Sequence, residues 1–126
     1  MIYENAEQAQ EACREWQKTL RLQDWDIMLR IARRDDMGLD DVNGTCTWTL
    51  ARNEAIIKIL DPIDYPSDCI FPQDQEVTTV HELLHLHYAP FSDQFAKDTL
   101  EYIALERCID VTAKTLVFFK RKAGDA

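Results

Sequence analysis

All three histidines of this 126-residue chain fall within "TTVHELLHLHY", residues 78 to 88. His81, Glu82 and His85 form a His-Glu-x-x-His spacing that has chemical meaning only on an α-helix. At ~100° per residue, His81 and His85 stand about 40° apart on one face, one turn from each other. Two imidazoles so placed can hold one Zn2+ ion. Glu82 points to one side of the first histidine. It can reach a water beside such an ion without ligating it, which is the place of a general base. His87 lies about 240° round from His81. It is expected to hydrogen-bond at the surface or between helices rather than share the ion. Val77, Val80, Leu83, Leu84 and Leu86 surround the pair, so the spacing predicts a helix from about Gln73 to Tyr88, ended by Pro90.

The rest of the chain supplies an order of elements around that helix. Residues from Asn5 to Leu22 read as a helix, with Ala9, Cys13, Trp16 and Leu20 on its core face. "WDIMLRIAR" alternates, placing Trp25, Ile27, Leu29 and Ile31 on one side of a strand. "GTCTWTLARNEAIIKIL" reads as two further strands around a turn near Arg52, Asn53 and Glu54. "DPIDYPSDCIFP" holds three of the four prolines and breaks regular structure before the histidine helix. A long last helix is expected from an N-cap at Ser92 or Asp93 to about Lys120. No repeat or flexible linker divides the chain, so residues 1–126 are expected to form one α+β domain.

A catalytic zinc site takes three protein ligands and leaves one position open. No histidine remains for the third, and the cysteines have no local support. The carboxylates available on the last helix are Asp93, Asp98, Glu101, Glu106 and Asp110. On a wheel with Phe95 at zero, Tyr102, Ile109, Ala113 and Val117 fall within about 40°, Glu106 at about 20° and Asp110 at about 60°. A carboxylate on an apolar face is costly unless paired or bound to a metal. Zinc ligation resolves that cost for Glu106, and a hydrogen bond to a ligand histidine resolves it for Asp110. Glu101 falls on a polar side. The structural alternative is that Glu106 pairs with Arg107, Lys114 or another cation at a helix interface.

"HELLH" followed by "ERCID" resembles the gluzincin metallopeptidases, which carry HExxH and then ExxxD. The resemblance implies His81, His85 and Glu106 as zinc ligands, Glu82 as general base and Asp110 as partner of a ligand histidine. It also implies a minimal zincin-like fold: an N-terminal helix, a small three-stranded mixed sheet, an active-site helix and a long C-terminal ligand-bearing helix. "VHELLHLHY" is similar to phage-encoded and bacterial metallopeptidases. SprT-like proteases share the element order, but their third ligand is usually a histidine and many carry a zinc ribbon. Many gluzincins place a further Tyr or His at the oxyanion; here only Tyr102 and Tyr88 are available.

The expected function is a zinc-dependent peptidase, an endopeptidase, holding an extended peptide along an edge strand of the "TCTWTL"/"AIIKIL" hairpin. A reading from another class is a zincin-fold binding or regulatory module that keeps its metal without turnover. A third is a latent peptidase whose own terminal segment fills the cleft. A formal net charge of −9 argues against a nucleic-acid partner. No apolar run reaches the length of a membrane span. The polar N-terminus and the absence of a CxxC pair make a cytoplasmic, reduced setting the expectation.

Overall fold

The computed structural model describes residues 1–124. Six main elements follow one another: α1 (Ala6–Thr19), β1 (Asp26–Ala32), β2 (Gly44–Thr49), β3 (Glu54–Leu60), α2 (Gln75–Ser92) and α3 (Leu100–Gly124). This is the α+β zincin-like arrangement, with a small mixed sheet, a histidine-bearing helix and a long C-terminal helix. Helix α1 starts at Asn5, whose side chain accepts the Gln8 N–H at 2.8 Å, satisfying a donor that the first turn leaves free. Ala9, Cys13 and Trp16 are buried on its inner face. It stops before Leu22 because Arg21 turns left-handed at φ 59°, and Leu22 N–H returns to Gln17 O at 2.8 Å.

The sheet order is β1-β3-β2, with β3 parallel to β1 and antiparallel to β2. Asn53, left-handed at φ 51°, closes the β2–β3 turn. Ile57 and Ile59 on the central strand are fully buried. Helices α1 and α2 cover one face of the sheet, and α3 packs on α2. The two sheet edges differ. Along β1, the Gln10 side chain accepts Leu29 N–H at 2.9 Å and donates to Ile27 O at 3.3 Å. One amide thus occupies the backbone groups that a further strand would use.

Asp74 caps α2 by accepting Val77 N–H at 3.2 Å. The helix continues to Ser92 and contains Pro90, instead of stopping before it. A proline there removes one N–H close to the helix end. The next turn still closes, with Asp93 N–H on Ala89 O at 3.2 Å, and Ala89 and Ser92 are buried. The chain then turns, so α3 begins at Leu100 and not after Ser92 or Asp93. Thr99 accepts Tyr102 N–H at 3.2 Å and acts as its cap. Phe95 therefore lies outside α3, packed edge-on against Phe91.

An ion-pair cluster around the buried Glu76 clamps the start of α2 to the end of α3. Glu76 accepts from Trp16 Nε1 of α1 at 2.9 Å, from Lys120 Nζ, and from Arg121 at 3.1 Å. Arg121 also forks onto both oxygens of Asp74, at 2.8 and 3.0 Å. Three helices meet on this one carboxylate, at the opposite end of the α2–α3 contact from Glu106.

Candidate metal centre

His81 and His85 project from one face of α2 toward α3, and Glu106 projects back between them. Glu106 Oε1 lies 2.7 Å from His85 Nε2 and Oε2 lies 3.3 Å from His81 Nε2. Each carboxylate oxygen is turned to a different imidazole. One ligand atom from each of the three residues lies within 4.8 Å of the others. Donors ~2.1 Å from a tetrahedral ion are about 3.4 Å apart, so two imidazoles and a carboxylate at these separations fit one such cation. The cluster is capable of coordinating a metal ion.

The neighbours sort the remaining candidates. Asp110, one turn after Glu106, places Oδ1 3.5 Å from His81 Nδ1 and takes Lys114 Nζ at 2.8 Å with its other oxygen. His81 thus presents Nε2 to Glu106 while Nδ1 faces a carboxylate, an arrangement that orients the ring. Tyr102 faces the same space; burial and the charges of Glu106 and Glu82 raise its phenol above the ordinary value. Tyr88 lies two turns beyond His81 on nearly the same face and is partly exposed. Glu101 and Asp98 are exposed, and Asp93 accepts Trp48 Nε1 at 3.2 Å. His87 turns away, with Nε2 2.7 Å from Leu20 O. A carbonyl only accepts, so that nitrogen carries the proton.

Glu106 and Asp110 are less enclosed than the wheel anchored on Phe95 suggests. Their side chains are 33% and 43% exposed. The stripe that α3 buries is Leu105, Ile109, Ala113 and Val117, centred about 40° from Glu106. The two carboxylates sit on the margin of that stripe, where it opens toward α2. Hydrogen bonds from His81 and His85 hold Glu106 far below the usual carboxylate range. Burial pushes the His81 imidazole down, but the Glu106 hydrogen bond and the charges of Glu82, Glu106 and Asp110 outweigh it and raise the group.

Glu82 is enclosed by β2. It makes no hydrogen bond among the described residues, and burial raises its carboxyl above the ordinary value against the opposing pull of His81 and His85. Gly44, at the start of β2, lies directly over it. A Cβ on Gly44 would meet Thr78 Cγ2 at 2.5 Å and Glu82 Oε2 at 3.1 Å. The bare strand is what leaves the carboxylate its place. Trp48, four residues on, stacks on His85 with ring centroids 6.3 Å apart and planes 21° from parallel. Cys46 lies between them on the strand; burial first, and the Glu82 charge second, raise its thiol. Gly44, Cys46 and Trp48 were not singled out for the site from sequence. Strand alternation puts them on one face, but nothing local says that this face meets α2.

Comparison of the chain with protein-family models, curated proteins and solved structures finds no match. Among the described residues, no helix is long and apolar enough to cross a membrane.

Proposed function

We propose that the protein is a zinc-dependent peptidase, with His81, His85 and Glu106 as metal ligands and Glu82 as general base. The observation that carries this reading is the convergence of the three ligand atoms beside a buried carboxylate that has no hydrogen-bond partner among the described residues. Zinc bound there supplies an acidified water and a polarised carbonyl. The chain's own residues do the rest. Glu82, its carboxyl raised above the ordinary value by burial, takes a proton from the attacking water and passes it to the leaving amine. Asp110 holds the His81 ring, and Trp48 flanks the His85 ring. Tyr102 would donate a hydrogen bond from its phenol to the oxyanion.

The open sheet edge supports a peptide substrate. Leu60 N–H bonds Asn43 O at 2.9 Å, which makes Asn43–Leu60 a hydrogen-bonded pair. By antiparallel alternation Thr45, Thr47 and Thr49 also bond to β3. The backbone groups of Gly44, Cys46 and Trp48 therefore point outward, beside Glu82 and His85. An extended peptide pairing with them lies across the histidines. The β1 edge, occupied by Gln10, offers no such place.

The test is metal content. Chain purified without chelator is expected to hold one zinc, to lose it in Glu106→Gln and to keep it in Glu101→Gln, an exposed carboxylate on the same helix. An unaltered chain that binds no zinc on titration overturns the reading.

A further inference from the structure

A groove of about 480 Å3 opens between α2 and α3, lined by Val77, Lys114, Val117, Phe118, Arg121 and Lys122. Its residues nearest the metal centre are Val77 and Lys114. Val77 lies one turn before His81 and about 40° from it. Lys114, on the groove wall, holds Asp110, which faces His81 Nδ1. The groove's body is apolar, and Phe118 is largely exposed there. Its rim carries three cations on a chain whose formal net charge is −9. Arg121 is committed to Asp74 and Glu76, and Lys114 is shared with Asp110. Lys122 takes part in no ion pair among the described residues.

We infer that this groove is a substrate subsite for an apolar residue bearing a neighbouring carboxylate, on the C-terminal side of the scissile bond. The inference rests on the proposed peptidase reading and adds a substrate class to it. The polarity follows from the strand. β2 runs from Gly44, beside Thr78 and Glu82, to Trp48, beside His85. A peptide paired antiparallel to it enters at the His85 end and leaves toward Val77, so its C-terminal portion reaches the groove. Val77 is ~6 Å along the helix axis from His81, about two residues of extended chain. An apolar side chain there covers Val117 and Phe118, and an adjacent carboxylate meets Lys122 and Lys114. That carboxylate is either an acidic side chain or the chain terminus.

The experiment measures binding of fluorescein-labelled peptides to the zinc-loaded Glu82→Gln chain, which holds substrate without turning it over. Peptides carrying Leu-Asp, Leu-Asn or Leu-Lys in a common alanine frame test the side-chain source. A peptide ending in Leu-Ala as the free acid or the amide tests the terminal source. At low salt the Asp or free-acid peptide is expected to bind about fivefold tighter than its neutral partner, as a solvated ion pair allows. Lys122→Glu is expected to abolish or invert that ratio, and Phe118→Ala to weaken every Leu peptide alike. Equal affinities across the series, no binding of any peptide, or a ratio unmoved by Lys122→Glu overturns the subsite. Charge-selective binding with no cleavage by the unaltered chain keeps the subsite and removes the peptidase reading. Cleavage without charge preference does the reverse.

Discussion

Glu76 and Glu82 lie six residues apart on α2 and are buried to nearly the same degree, at 5% and 7% exposure. Their surroundings are opposite. Glu76 collects a tryptophan N–H and two cations, and these outweigh burial to hold its pKa below the ordinary value. Glu82 has no hydrogen-bond partner among the described residues, and burial takes its pKa the other way. A buried charge with partners binds elements together. A buried charge without them costs stability, and on a helix face beside two converging imidazoles that cost has a use. The chain places both kinds on one helix and keeps them apart with a turn and a half of backbone.

The strongest way to break this contrast is Glu82→Gln. Cleavage of a peptide substrate is expected to fall by about 10^2- to 10^4-fold, with zinc content unchanged. The same substitution is expected to leave folding stability equal or higher, because an amide replaces a desolvated carboxylate. A drop in the urea midpoint would place Glu82 with Glu76 as a structural group. Glu76→Gln is the complementary test. It strips the partners from Trp16, Lys120 and Arg121, and is expected to cost about 2–3 kcal/mol of unfolding free energy. The cations are half exposed and rehydrate, which keeps the loss below that of a fully enclosed pair. An unchanged urea midpoint would dissolve the clamp.

Gly44→Ala sharpens the Glu82 side. The added methyl overlaps Thr78 and presses on the Glu82 carboxylate, an insertion expected to cost about 1–3 kcal/mol. Combining it with Thr78→Ser removes the closest overlap and is expected to recover stability. Turnover is expected to stay reduced in the double variant, because the contact with Glu82 remains. Full recovery of turnover would show that only the Thr78 methyl mattered.

Acid titration gives the smallest effect. Asp74 and Glu76 are held low in the folded chain, and Asp64, on Arg33, lies at about 2. Groups depressed on folding stabilise above their unfolded values near ~4 and lose that contribution as pH falls through the folded ones. The thermal midpoint is therefore expected to decline from about pH 5 toward pH 2. The decline should be shallower in Glu76→Gln. A midpoint that rises on acidification through this range would contradict the assignment.

Much of the site was legible because its parts are local. The four-residue spacing of His81 and His85 is a helix property, and Glu106 stood out as a carboxylate near apolar neighbours. The strand segments were legible from alternation. Their order was not, since β1 pairs directly with β3 and leaves β2, which lies between them in sequence, at the far edge, a choice made by tertiary packing. The start of α3 was misplaced for a similar reason. Ser92 looks like a cap, but it is buried at the end of α2, and Pro90 is absorbed where few helix bonds remain to be lost. The Gly44–Glu82 contact joins positions 38 residues apart in sequence, and no local pattern encodes it.

The Gln10 amide on β1 has a consequence for assembly. A sheet that grows by edge pairing needs two open edges per molecule, one to receive and one to offer. This sheet has its β1 edge occupied from within. Pairing between copies through β2 would therefore end at two chains, and Gln10→Ala would restore the second edge that fibre growth requires.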